Sequence, residues 1–296
     1  MIIGHISDIH WLDIEGSHFR DFLNKRISGG INLLAGRAKK HSKATMRCAL
    51  DTLKTLNCDH LIVTGDLSNL ALPGELRAVK KELNNVFRDE EMTIVPGNHD
   101  YYTRESLKNR RFEKLIYTSS PGNLDVGLSQ TWPFVNIVQD VAIIGLNSAQ
   151  PRPWFVAAGK LGNRQLHDLE SVLHHPEVSC RTKIIALHHH IFQVVMTPGE
   201  SLRNLEDRNE LLRICQENGV AMIVHGHNHD FTQKRVGDLI VSEAGSCSVC
   251  KFKRDNRAGK FNLYRIDAGQ IKKIETWRFE NDQFKLWQSK DLSEIV

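Results

Sequence analysis

Five separated stretches of the chain carry side chains of the kind that hold metal ions: Asp8 with His10, Asp66, Asn98 with His99 and Asp100, the run His188-His189-His190, and His227 with His229. Imidazoles, carboxylates and an amide in one set suit a pair of transition-metal ions, and a carboxylate with two oxygens can bridge them. Two such ions can hold a hydroxide between them and clamp the attacking and leaving oxygens of a phosphoryl group. The candidate set is Asp8, His10, Asp66, Asn98, His188, His227 and His229, although spacing alone does not choose among the three consecutive histidines. Only Asp8 and Asp66 in that set are acidic, so two divalent ions outweigh their ligands. The resulting cavity suits an anionic substrate and lowers the pKa of bound water. Nitrogen donors dominate, which favours manganese, iron or zinc over calcium.

Each of these stretches follows a short apolar segment: residues 1–6, 60–64, 92–95, 183–187 and 220–224. Gly65, Gly97 and Gly226 precede their ligands and let the backbone turn tightly there. A pair such as Asp8 and His10 is weak alone; recurrence at five strand ends is the signal. Between the strands lie helical patterns at 43–56, with Met46, Ala49, Leu50, Leu53 and Leu56 on one stripe, at 73–87 opened by Pro73, at 104–116, at 163–173 capped by Asn163, and at 205–217. This alternation predicts a parallel sheet with crossover helices. Segments 133–138 and 141–146 read as an antiparallel hairpin, followed later by antiparallel strands near 230–236, 239–244, 260–267 and 271–280.

The predicted class is therefore α/β, with two sheets face to face and helices outside. Residues 1–296 form a single domain in this reading, with a helical insertion at about 11–42 and a C-terminal hairpin at about 260–280. The insertion is either a wall or lid of the site or a packing hairpin without substrate contact. Its exposed faces and those of the final hairpin are where a homodimer contact would fall.

Lys plus Arg number 39 against 35 acidic residues, and a net charge of +4 is too small to imply nucleic-acid or membrane binding. No basic groove with interleaved aromatics suits a nuclease, and Lys251 to Arg254 reads as a solvated hairpin end. No leader precedes the first strand and no apolar run is long enough to span a bilayer, so a cytoplasmic setting is expected. Cys247 and Cys250 have the spacing of a half-site without its other half and read as structural thiols. His5 and His225 read as satisfied buried histidines beside the site. His41, His60, His167, His174 and His175 read as surface or helix-end residues. Trp11, Arg152 and Trp154 are packing or surface residues, or else they line the mouth of the site.

In full order, Asp8-Ile9-His10, Gly65-Asp66, Gly97-Asn98-His99-Asp100, His188-His189 and Gly226-His227-Asn228-His229 resemble the calcineurin-like metallophosphoesterase superfamily over roughly residues 1–245. Within it the chain looks most like the bacterial branch of class III cyclic-nucleotide phosphodiesterases and glycerophosphodiesterases. The resemblance implies a four-layer α-β-β-α sandwich of two mixed sheets. It implies that Asp8, His10 and His229 hold one metal, that Asp66 bridges, and that Asn98, His188 and His227 hold the other. His99 would stand beside the leaving group as general acid, with Asp100 orienting it and the Asn98 amide stabilising charge on phosphoryl oxygens. The implied activity is hydrolysis of a small anionic phosphodiester by in-line attack of the metal-bridging hydroxide. A phosphomonoesterase or nucleotide pyrophosphohydrolase is the catalytic alternative, and a protein-binding scaffold is the alternative of another class. His190 lies where that branch often carries proline, a departure bearing on the floor of the pocket.

Overall fold

Strict two-residue alternation along the strands divides the buried side chains into three apolar layers. The computed structural model describes residues 1–13, 40–153, 156–192, 202–250 and 258–295. In β1 (Ile2–Ile6), β2 (His60–Thr64) and β3 (Met92–Val95), Ile6, Leu61, Val63, Met92 and Ile94 pack toward helices α1 (Lys43–Thr55) and α2 (Pro73–Asn84). Ile3, Ile62 and Val95 face the other way, into a layer between the two sheets. There they meet Val141 and Ile143 of β5 (Val141–Gly145), Ile184 of β6 (Thr182–Ala186), Met222 and Val224 of β7 (Met222–His225) and Ile240 of β9 (Leu239–Glu243). The alternate residues Ile144, Ile185, Ile223 and Val241 form a third layer with α5 (Asn163–Leu173) and α7 (Arg208–Glu217). Helices, sheet, sheet and helices follow in that order, as side chains at period two require when both faces of each sheet are covered.

Strands β10 (Lys260–Asp267), β11 (Gln270–Glu280) and β12 (Gln283–Asp291) extend the first sheet, whose order is β12-β11-β10-β1-β2-β3. Only β1–β2 and β2–β3 are parallel. With β4 (Phe134–Val138) and β8 (Gln233–Val236), the second sheet runs β4-β5-β6-β7-β9-β8, parallel in its centre and antiparallel at both edges. Both sheets are thus mixed, as expected, and the fold is α/β.

Local chemistry explains the helices. Ser42 caps α1 by accepting from the Thr45 amide, and Met46, Ala49, Leu50 and Leu53 are its buried stripe. Pro73 opens α2, while the buried Glu75 side chain accepts from the amides of Leu70 and Leu72. The single helix expected over 104–116 is broken: Arg110 adopts a left-handed φ of 49°, separating α3 (Arg104–Lys108) from α4 (Arg111–Ile116). Asn163 does not cap α5, because Gly162 holds the cap position and Asp207 accepts from the Leu161 and Gly162 amides instead. A short α6 (Pro176–Ser179) and strand β12 were not expected. Among the described residues no helix is long and apolar enough to cross a membrane. Most of the expected insertion at 11–42, Trp154 and Lys251 to Arg254 lie outside the described residues.

Candidate metal centre

The residues that follow β1, β2 and β3 in the first sheet meet those that follow β6 and β7 in the second. Backbone bonds fix the loops to one another: Asp8 N donates to Gly65 O at 3.1 Å, His10 N to Asp66 O at 2.8 Å, and Gly226 N to His188 O at 3.1 Å. A strap crosses between the sheets, where the His227 amide donates to Asp8 Oδ2 at 3.0 Å. Asp8, His10, Asp66, His227 and His229 all hold left-handed backbone, with φ of 53°, 50°, 52°, 84° and 57°. Such conformations cost energy in non-glycine residues and persist where the surroundings enforce them, typically at functional sites. The expected glycine turns divide into two kinds. Gly65 takes φ 82°, whereas Gly226 is needed for close approach: a Cβ there would fall 1.8 Å from Ser7 Oγ and 2.4 Å from Asp8 Oδ2.

All seven predicted ligands are brought together. On one side His229 Nε2 stands 3.3 Å from Asp8 Oδ1 and 2.9 Å from His10 Nε2. On the other, His188 Nε2 stands 3.3 Å from Asn98 Oδ1 and 3.1 Å from His227 Nδ1. Asp66 lies between them, its Oδ2 at 3.7 Å from His10 Nε2 and 3.5 Å from His188 Nε2. Of the three consecutive histidines, His188 is the one that faces this cluster. The Nδ1 of His189 meets Ser148 Oγ at 2.8 Å, and His190 lies beside Glu243.

The electrostatics match that placement. Burial opposes charge on Asp8 and Asp66, but the facing imidazoles override it and hold both carboxyls below their ordinary range. Burial likewise opposes charge on His188, yet Asp66 and Asp8 raise its pKa to about 9. Burial, reinforced by neighbouring imidazoles, keeps His227 neutral. Asp8 Oδ1 is buried without a well-formed hydrogen bond, 3.3 Å from His229 Nε2. A buried acceptor of this kind, among imidazole and carboxylate ligand atoms only a few ångström apart, fits a pair of bound cations.

Beside the cluster, His99 Nδ1 meets the carbonyl of Asn69 at 2.7 Å and its ring stacks on Tyr102. That corrects the role expected of Asp100. Its carboxylate accepts from the amides of Leu67, Ser68 and Gly97 and from Ser68 Oγ, so it ties two ligand loops together and makes no bond to the His99 ring. His41 was missed as a site residue. Its ring lies 4.7 Å from that of His10 and 5.5 Å from that of His229, and its Nδ1 is 2.7 Å from Ser248 Oγ. Nothing in the sequence around it signals this, because a backbone bridge between His41 and Val249 brings it there. His60 is buried in β2 against Thr93 Oγ1, not at the surface. His5 is buried as expected, between Tyr264 and Thr64. Trp11 and His41 line a cavity of about 200 Å³ with His10, Lys43, Met46 and Asn69, and the Lys43 ammonium sits 4.7 Å from the Trp11 ring centre. Arg152 pairs with Glu206 and donates to the Ala158 carbonyl.

Two mixed sheets with helices outside, and a histidine–aspartate cluster at the strand ends, define a metal-dependent phosphoesterase architecture. The family model for calcineurin-like phosphoesterases matches residues 1–231, and the chain belongs to that family. Among solved structures it is similar to a dimetal phosphatase from Danio rerio, at 13% identity and a TM-score of 0.62, covering 97% of this chain and 98% of that one. It is also similar to a purple acid phosphatase from yellow lupin seeds, at 9% identity and a TM-score of 0.61, covering 98% of this chain and 53% of that one. A third is GAP50, the anchor in the inner membrane complex of Plasmodium, at 12% identity and a TM-score of 0.53, covering 99% and 88%. A comparison with curated protein sequences finds no match.

Proposed function

We propose that this calcineurin-like metallophosphoesterase hydrolyses a small phosphodiester of the cyclic-nucleotide or glycerophosphodiester kind. The observation that carries the reading is Asp66 Oδ2, placed within 4 Å of an imidazole from each half of the cluster, at 3.7 Å from His10 and 3.5 Å from His188. In this reading Asp8, His10 and His229 would hold one ion, Asn98, His188 and His227 the other, with Asp66 placed to serve both. Bound manganese, iron or zinc would supply Lewis acidity toward phosphorus and a lowered pKa for water.

The chain's own groups do the rest. The His99 Nδ1–H donates to the Asn69 carbonyl, so Nε2 is the nitrogen left to face a substrate. From there an imidazolium gives its proton to the departing alkoxide. The Asn98 amide N–H group stabilises negative charge on a phosphoryl oxygen. Asp100 acts as a positioning residue by holding the loops of Asp66 and Asn98 in register. Among the described residues, the cavity beside His10 is lined by the Trp11 indole with the Lys43 ammonium seated over its ring, a setting that suits an anionic ester carrying a compact organic group. We read the chain as one cytoplasmic domain in which the full ligand set argues for catalysis over scaffolding.

The test is a panel of phosphomonoesters, diesters and cyclic esters assayed on metal-free protein reconstituted with manganese, iron or zinc. Small diesters are expected to turn over fastest. Equal turnover of cyclic nucleotides and a generic aryl diester removes the narrower assignment, and faster turnover of monoesters replaces it.

A further inference from the structure

His225 and Glu243 are direct partners in the parallel pairing of β7 with β9. By the alternation along those strands they fall on the helix-facing side with Ile223 and Val241, away from the layer between the sheets. His190, beyond the end of β6, completes a third group. Its Nδ1 lies 3.7 Å from Glu243 Oε2, its ring centre lies 5.2 Å from that of His225, and one ligand atom from each of the three fits within a 4.8 Å span. All three side chains are buried, at 1%, 0% and 0% exposure.

Their polar atoms are poorly served by protein alone. Both nitrogens of His190, Nε2 of His225 and Oε1 of Glu243 lack a well-formed hydrogen bond. Buried polar groups are almost always satisfied, and one ligand atom from each of the three residues lies within 4.8 Å of the others, so the group calls for a shared partner. Their supports already select metal-ready forms. His225 Nδ1 faces the Gly226 carbonyl at 3.1 Å, which places the proton on Nδ1 and the lone pair on Nε2. Thr232 Oγ1 donates to Glu243 Oε2 at 3.1 Å, orienting the carboxylate. The charges facing the group are the carboxylates of Asp8 and Asp230 and the cations of Lys234 and Arg208.

We propose that His190, His225 and Glu243 bind a third divalent transition-metal ion of the zinc class, separate from the pair at the strand ends. Ligands about 2.0–2.2 Å from a tetrahedral zinc stand about 3.4 Å apart, so small side-chain rotations close the present spacing around one ion. Two imidazoles and a carboxylate form a neutral-nitrogen and oxygen set that zinc accepts, supplying three of its four positions at the buried junction of β6, β7 and β9 and leaving the fourth to water.

The full-length protein, expressed with added zinc and freed of loosely bound metal, is analysed for metal per chain alongside Glu243→Gln, His190→Ala and Asp66→Asn. The expected contents are three ions in the native chain, two in Glu243→Gln and His190→Ala, and one in Asp66→Asn. Anomalous scattering at the zinc edge on the native protein needs no variant to fold, and a peak among His190, His225 and Glu243 is expected. A native content of two that Glu243→Gln and His190→Ala leave unchanged, or no anomalous peak at that position, overturns the third site and leaves the phosphoesterase reading intact. A native content of one, lost in Glu243→Gln and kept in Asp66→Asn, does the reverse.

Discussion

His188 and His190 leave the same strand two residues apart, and His225 and His227 flank a single glycine, yet the members of each pair enter different surroundings. The cluster containing His188 and His227 draws donors from both sheets and holds five residues in left-handed backbone. The cluster containing His190 and His225 lies within one sheet, and none of its members has a positive φ. A site built across two sheets must be reached by loops, and loops that converge on a point adopt costly conformations. A site built on one sheet needs only strand alternation and register. Between these two clusters, left-handed backbone accompanies the one assembled across the sheets and not the one assembled along a single sheet.

Three measurements test how far the two clusters differ. The largest effect is expected from Asp66→Asn, because a neutral amide bridges two cations poorly. Turnover should fall by about a thousandfold or more, with loss of both ions at the strand ends. Retention of those two ions, measured by elemental analysis, would remove the bridging role.

His99→Ala should cost about 10²–10⁴ in rate on an alkyl phosphodiester and much less on a nitrophenyl ester, whose leaving group needs no proton. Equal losses on the two would show that His99 positions substrate without donating a proton.

The smallest effect concerns the loop that presents the Asn69 carbonyl to His99. Burial raises the pKa of Glu75, which braces that loop, from an ordinary 4.5 to about 8. The folded chain therefore holds a proton that the unfolded chain has released, and stability declines as pH rises from about 4.5 to about 8. Glu75→Gln keeps an acceptor for the Leu70 and Leu72 amides and should flatten that decline in urea titrations. An unchanged slope between the two proteins would show that Glu75 is already ionised in the fold.

The ligand set was legible because each member sits at a fixed step beyond an apolar segment, and five such steps recur. The two-sheet arrangement was legible for a similar reason, since buried strands and amphipathic helices announce themselves by period. What escaped notice depended on contacts without a side-chain signature. The group that holds His99 is a backbone carbonyl, which any residue at position 69 would carry. Asp100 stands next to His99 in sequence, but its carboxylate turns to three backbone amides and a serine. His41 reaches the site through its backbone bridge to Val249, and His60 opens a strand that was expected but turns its ring inward against Thr93. Strand β12 exposes most of its residues and buries Phe284, so its alternation carries little apolar signal.

The amide of His227 bonded to the carboxylate of Asp8 makes the spacing of the reaction centre a property of how the sheets seat on each other. Slippage between the halves would spread the ligands even with every coordinating atom intact. Side chains such as Ile62 and Met222, remote from any chemistry, thereby act as the gauge blocks that set the working gap of the catalyst.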